Sequence, residues 1–218
     1  TLREYLIVGS PYIFANLGAV VLQSTDKIFL GGYERVVEAG VYALAGKMAS
    51  LISVLLLGPF TLVWGPMMFR LEKDHSPGEA RRLFSRLLTY FTLLLLQVAV
   101  AIVLFSREII WLAGGREYAG AQQVVPFLVA AAVLYGAYRH LQVGLSVTGR
   151  TRMLAGSFAV AALVNVAGNA LLIPRWGALG AAAATLGSYV LMTVLVERAS
   201  ARVYPVPYEW GRLALAVA

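Results

Sequence analysis

The sequence is dominated by apolar runs that are about as long as a bilayer is thick. A transmembrane helix needs about 20 mostly apolar residues. The runs do not alternate every second residue, so they predict helices and not the strands of a membrane barrel. We therefore predict an all-α, polytopic membrane helix bundle, with six spans and the start of a seventh at 208–218. The six spans are 5–30, 39–69, 84–106, 121–147, 152–173 and 177–197.

The composition supports a membrane protein. The 218 residues are 60% hydrophobic and 13% charged, whereas soluble domains average about 45–50% apolar and about 25% charged. The absence of cysteine excludes disulfides and thiolate metal sites. The two histidines, His75 and His140, lie far apart in the sequence. We expect no metal site and no cofactor.

The distribution of basic residues predicts the orientation. Eleven of the 18 Lys and Arg residues flank one set of helix ends, and four flank the other. Since cytoplasmic loops carry an excess of Lys and Arg, the Thr1 end is predicted to be cytoplasmic, in a multi-pass protein of the cell (cytoplasmic) membrane. This bias also explains the net charge of +7 without a nucleic-acid partner. Because the chain begins without Met and ends in the apolar run Leu213–Ala218, we expect it to be part of a longer protein.

Charged side chains inside the spans indicate the chemistry. A charge near the bilayer centre costs about 3 kcal/mol or more, and it usually faces a protein interior or a water-filled cavity. Arg139 lies roughly 12 Å inside its span by helix rise. Asp26 and Lys27 lie near the end of the first span, where a local pairing of Asp26 with Lys47 or Arg35 is as consistent with the sequence as a role in transport.

Polar residues recur at helical spacing around these charges. They form stripes on the first, fourth and fifth spans, because steps of three, four and seven residues return to one helix face. Such stripes either line a hydrated cavity or form hydrogen bonds between helices, each worth roughly 0.6 kcal/mol. The cavity candidates beside the charges are Tyr12, Asn16, Gln23, Tyr135, Gln142, Asn165 and Asn169.

Proline and small residues predict local helix geometry. Each proline removes one helix hydrogen bond, so a kink is expected near Pro59 and a helix end near Pro66. Gly180, Ala184 and Ser188 form a small-residue face that lets helices approach closely. We interpret that face as a packing surface.

No catalytic motif is present. The sequence contains neither GxxxxGK[ST] nor HExxH nor GxSxG. A catalytic function therefore has no support in the sequence, and we expect that the protein is not an enzyme.

Two stretches resemble the polysaccharide transporter (oligosaccharide flippase) branch of the MOP/MATE-like exporter superfamily. The first consists of DKIFLG at 26–31, AGVYALA at 39–45 and WGP at 64–66. The second consists of GRTR at 149–152, the pair Asn165 and Asn169, and IPRWGALGAAAAT at 173–185. This second stretch lies within residues 124–196, which resemble the C-terminal polysaccharide-synthesis domain of that family.

The resemblance implies a function. Members of this family have two lobes and are thought to move lipid-linked saccharides across the membrane by alternating access, so residues 1–218 would form the second lobe. The implied partners are the lipid-linked saccharide, the bilayer, the missing N-terminal lobe, and glycosyltransferases with a polymerase. Because basic side chains attract phosphate strongly in a low-dielectric site, the candidates for contact with an anionic headgroup are Arg139, Lys47 and Lys27.

Two other functions stay open at this point. One is a cation-coupled multidrug or metabolite exporter of the MATE type, although a more acidic cavity would suit cationic drugs better. The other is a non-catalytic membrane scaffold of a polysaccharide assembly complex, which would tolerate loss of every charge inside the membrane.

Overall fold

The computed structural model describes residues 24–33 and 35–212, and these residues form helices and no strands. Residues 24–32 belong to helix α1. The helices that follow are α2 (Val36–Ile52), α3 (Gly58–Asp74), α4 (Pro77–Leu104), α5 (Ser106–Gly114), α6 (Ala121–Leu141), α7 (Val143–Val147) and α8 (Thr151–Val203). This architecture confirms the predicted all-α class. The predicted helix start at 208–218 is described only as far as Arg212, where residues 210–212 are helical.

Four helical stretches of the described chain are long and apolar enough to cross a membrane. They are Val36–Asp74, Pro77–Leu104, Ala121–Val147 and Thr151–Val203. Such runs are helical because hydrocarbon offers no partner to a backbone amide, and a helix satisfies these groups internally.

The long α8 is a helical hairpin. Gly177 has φ +54° and ψ −130°, a conformation that only glycine adopts readily, and the chain reverses there. Asn165 hydrogen-bonds Thr185 across the hairpin at 3.4 Å, and a Cβ on Gly180 would overlap the backbone of Leu172. We call residues 151–176 the first arm and residues 178–203 the second arm. The two arms agree with the separate spans expected before and after this turn.

The stretch from Val36 to Asp74 is helical throughout. Close to the kink predicted near Pro59, the structure has a π-helical turn, Ser53–Leu57, which ends two residues before that proline. The predicted helix end near Pro66 is wrong, because α3 continues through Pro66 to Asp74. A proline deletes a single hydrogen bond, and the residues after it here, including the buried Met68, are good helix formers that pack on the core.

Helix α6 lies at the centre of the bundle and contacts α2, α4 and α8. It runs parallel to the α2–α3 stretch: Val41 lies beside Gly120, and Leu57 lies within 2.9 Å of a Cβ built on Gly136. The same offset of 79 residues at both places sets the depth of every side chain on α6 relative to α2 and α3. We call the two ends of the bundle the Gly177 end and the Gly149 end.

The segment after α8 packs against α4 at the Gly149 end. Ser85 donates a hydrogen bond to the Pro207 carbonyl at 2.6 Å, and Thr89 donates one to the Glu209 carboxylate at 3.3 Å. Tyr204 donates a hydrogen bond to Glu72 of α3. Burial and this carboxylate raise the pKa of Tyr204 to about 12, so the hydroxyl keeps its proton at physiological pH.

The close approach of the two arms of α8 leads to a stability prediction. Gly180→Ala should force the arms apart and lower the melting temperature by several degrees, because its Cβ meets backbone atoms that cannot rotate away. Gly187→Ala on the same arm is the control, since a Cβ there meets nothing within 4 Å. Thermal unfolding of the purified protein in detergent measures both. Equal melting temperatures for the two variants would show that the arms do not need glycine at 180.

Candidate functional site

A buried carboxylate lies where α1, α2 and both arms of α8 meet. The Asp26 side chain is 3% exposed. It accepts hydrogen bonds from the Tyr42 hydroxyl, from Thr185 Oγ1 at 3.1 Å and from Asn169 Nδ2 at 3.1 Å. Asn169 also donates to Asn165 Oδ1 at 3.1 Å. We call these five residues the Asp26 cluster.

Each helix contributes to the Asp26 cluster through its local sequence. On α1, adjacent residues point in different directions, so Asp26 faces inward while Lys27 is exposed. Asn165 and Asn169 are one turn apart on the first arm, which places both amides on the face toward Thr185 of the second arm. Both Asn side chains are fully buried.

The Asp26 cluster contains no cation among the described residues. Neither of the ion pairs within 4.0 Å in the described part of the chain includes Asp26. The groups that donate hydrogen bonds to Asp26 are neutral. The Asn169 Oδ1 atom is buried and has no hydrogen-bond partner in the described part of the chain. A buried charge without a counterion is costly, so this carboxyl group is suited to take up a proton or a small cation.

The pairing of Asp26 with Lys47 or Arg35, which the sequence left open beside a role in transport, does not form in the structure. Arg35 instead forms an ion pair with Glu38 at 2.5 Å, and Lys47 is exposed. Asp26 does not reach water near the end of α1, because Tyr42, Asn169 and Thr185 surround it. Helical spacing identified Asn165 and Asn169. Spacing could not identify Tyr42 and Thr185 as partners of Asp26, because their proximity depends on how three helices pack.

A second polar feature follows one face of α6. Tyr135, Arg139 and Gln142 are all half-buried, whereas Leu128 on the same face, closer to the Gly177 end, is buried. The stripe therefore becomes more accessible toward the Gly149 end. Arg139 makes no ion pair or hydrogen bond with the described residues, while Gln142 accepts a hydrogen bond from Tyr138 at 2.9 Å.

The stripe on α6 begins close to the Asp26 cluster. The rings of Tyr135 and Tyr189 meet edge to face, with centroids 5.8 Å apart. Tyr189 lies one helical turn after Thr185 on the second arm of α8. The two features are therefore in contact through one pair of aromatic rings.

The two basic candidates, Lys47 and Arg139, lie at different depths along the axis of the helix bundle. The offset between α6 and the α2–α3 stretch places Arg139 level with Phe60. This level is about 13 residues from Lys47, or ~20 Å along the helix. At this separation of their helix levels, we expect one headgroup to contact one of these side chains at a time. Lys27 is exposed on α1, and the structure brings it to neither site.

Three of the predicted cavity residues, Tyr12, Asn16 and Gln23, lie outside the described residues. Among residues 24–33 and 35–212, no group of three His, Cys, Asp or Glu side chains is placed to hold a metal ion.

Comparison with known proteins identifies the family. Residues 1–123 match the family model described as "Polysaccharide biosynthesis protein". The chain belongs to this family. The match confirms the family resemblance of the sequence, and with the long apolar helices it makes the chain a multi-pass membrane protein.

A curated relative comes from the archaeon Haloferax volcanii. The chain is 21% identical over 183 residues to the "Probable low-salt glycan biosynthesis flippase Agl15". The alignment covers 84% of this chain and 39% of that protein, so the chain spans about two fifths of the length of its relative. No solved structure matches the chain.

Proposed function

We propose that this chain is one lobe of a membrane exporter that moves a lipid-linked oligosaccharide across the cytoplasmic membrane by alternating access. The observation that carries the proposal is the pairing of two complementary centres in one core. Among the described residues, Asp26 is a buried carboxyl group without a basic partner, and Arg139 is a half-buried guanidinium group without an acidic partner. The Tyr135–Tyr189 contact joins them. The family match and the flippase name of the relative support the same function.

In this proposal the two centres have different ligands. Arg139 attracts the phosphate or pyrophosphate of the lipid carrier, since guanidinium groups bind phosphate oxygens through paired, charge-assisted hydrogen bonds. The half-buried Tyr135 and Gln142 add hydrogen-bonding groups that suit sugar hydroxyls. Lys47 lies ~20 Å away along the helices and would meet the headgroup at another stage of its passage.

The Asp26 cluster would couple this movement to an ion gradient. A proton or a monovalent cation neutralises Asp26 and stabilises the contact of α1 and α2 with α8. When the ion leaves, the uncompensated charge favours separation of these helices. The ion has to bind the two conformations with different affinities, because only a differential affinity shifts a conformational equilibrium. The predicted orientation places the Gly177 end outside.

A cation-coupled drug exporter on the same fold is the alternative. Arg139 disfavours it: this side chain pairs with no acidic residue of the described chain, and a cationic side chain repels a cationic drug. A scaffold would not need a buried carboxylate without a counterion.

Cells that lack the gene provide the test. We expect them to lose surface polysaccharide and to accumulate the lipid-linked oligosaccharide in the cytoplasmic leaflet, with unchanged drug sensitivity. As the control, expression of the full-length protein in these cells should restore the surface polysaccharide and remove the accumulated lipid-linked oligosaccharide. Normal surface glycan together with increased drug sensitivity would contradict the proposal and favour the drug exporter.

A further inference from the structure

A second set of contacts joins α2 to the α8 hairpin at the Gly177 end. The Glu38 carboxylate accepts a hydrogen bond from the backbone amide of Ala178 at 2.7 Å. Ala178 is the first residue of the second arm, so this carboxylate caps a helix N-terminus, where negative charge is favoured. Arg35 pairs with Glu38 at 2.5 Å and donates a hydrogen bond to the Pro174 carbonyl at 2.9 Å.

The chain geometry at the turn is fitted to Glu38. Gly177 has a positive φ and is buried, and a Cβ there would overlap the Glu38 carboxylate. The turn thus brings its backbone against this side chain at a place where other residues would be excluded. Trp176 and Arg175, the residues just before, are exposed.

These contacts lie next to the Asp26 cluster, on the side toward the Gly177 end. Glu38 precedes Tyr42 by one turn of α2, and Ala178 precedes Thr185 by two turns of the second arm. The same two helices therefore meet twice, once at Glu38 and Ala178 and once at Tyr42 and Thr185. Between the two levels lies Ala181, which is fully buried. Separation at Glu38 would open a route from the Gly177 end to Asp26.

We propose that Glu38 is a positioning residue that latches the second arm of α8 to α2 and closes the route from the Gly177 end to the Asp26 cluster. Arg35 holds the Glu38 carboxylate in place and ties the end of the first arm to the same point. The ion-coupling role of this latch rests on the proposed function, whereas the latch itself can be measured without transport.

Cysteine labelling in the full-length protein tests the latch. Residues 1–218 contain no cysteine, so Ala181→Cys gives one reporter between the latch and Asp26 once any cysteine elsewhere in the full-length protein has been replaced. We expect a membrane-impermeant maleimide to label it slowly in the parent. Adding Glu38→Gln, which removes the charge and keeps the shape, should raise the labelling rate about 10- to 100-fold, the range expected for loss of a hydrogen bond to a charged group. Glu38→Asp should give an intermediate rate.

Two controls make the result decisive. Glu108→Gln removes an exposed carboxylate from the same end of the bundle and should leave the rate unchanged. Glu117→Cys lies on an exposed turn at the Gly177 end. Its labelling in right-side-out and in inside-out vesicles shows on which side of the membrane that end lies. The latch is then assayed from that side. A rate in Glu38→Gln equal to that in Glu108→Gln would overturn the proposal, and unchanged melting temperature in both variants excludes unfolding as the cause.

The labelling result is independent of the proposed function. If Glu38→Gln speeds labelling but Asp26 variants export glycan normally, the latch stands and the coupling role of the Asp26 cluster fails. If Asp26 variants lose export and Glu38→Gln leaves labelling unchanged, the latch is wrong and the coupling site stands.

Discussion

Asp26→Asn should reduce glycan export by roughly 100-fold or more while the protein still folds. An uncompensated charge inside the membrane costs about 3 kcal/mol, so an ion that neutralises Asp26 can shift the balance between the transport conformations by about that amount. Each 1.4 kcal/mol corresponds to a tenfold change in an equilibrium. Asn has nearly the shape of Asp and can still accept hydrogen bonds from Tyr42 and Thr185. It cannot take up a proton or neutralise a cation. The variant should therefore keep its thermal stability, or gain some, and lose coupling.

The measurement is export in cells that lack the wild-type gene, with the protein level determined in the same membranes. Asp74→Asn is the matched control, because Asp74 is exposed at the Gly149 end and should export normally when replaced. Transport in vesicles under an imposed proton or sodium gradient then identifies the coupling ion. Wild-type export by Asp26→Asn at equal protein level would remove the Asp26 cluster from the mechanism.

The helices of this chain could be predicted from its sequence because hydrocarbon leaves few alternatives. Apolar runs of bilayer length must be helical, and the gap between the predicted spans 152–173 and 177–197 contains the residues that directly precede Gly177, where the chain reverses between the arms of α8. The end predicted at Pro66 failed for a local reason. Loss of one hydrogen bond is tolerated inside a helix whose neighbouring turns are packed, as they are around the buried Trp64 and Met68.

The candidate site was only partly predictable. Spacing along single helices identified Asp26, Asn165 and Asn169, because each stripe is a property of one helix. The partners of Asp26 could not be found in this way, since Tyr42 and Thr185 are 143 positions apart and meet only when α2 packs on α8. Lys47 and Arg139 were both predicted as headgroup candidates, and the sequence contained no sign that they lie at different depths. Their depths differ by ~20 Å, a separation that depends on the parallel packing of α2 and α6.

Arg139→Ala should lower the affinity for the lipid-linked substrate by about 10- to 100-fold, the range expected for loss of charge-assisted hydrogen bonds. Arg139→Lys should recover part of the loss, because a lysine keeps the charge but not the paired donors. Arg152→Ala is the control: Arg152 is exposed at the Gly149 end, so its removal should leave affinity unchanged. Binding of the lipid-linked oligosaccharide to the purified full-length protein measures all three.

A double variant that combines Arg139→Ala with Lys47→Ala tests whether the two side chains form one binding site or two. Side chains more than about 10 Å apart without shared partners have additive effects. If Lys47 and Arg139 meet the headgroup at different stages, Arg139→Ala should weaken equilibrium binding from the Gly149 end, and Lys47→Ala should chiefly slow export. The double variant should then show the affinity of Arg139→Ala alone. A double variant that binds far more weakly than either single variant would mean that both side chains hold one headgroup together, which would require a conformation in which the ~20 Å between their levels is closed.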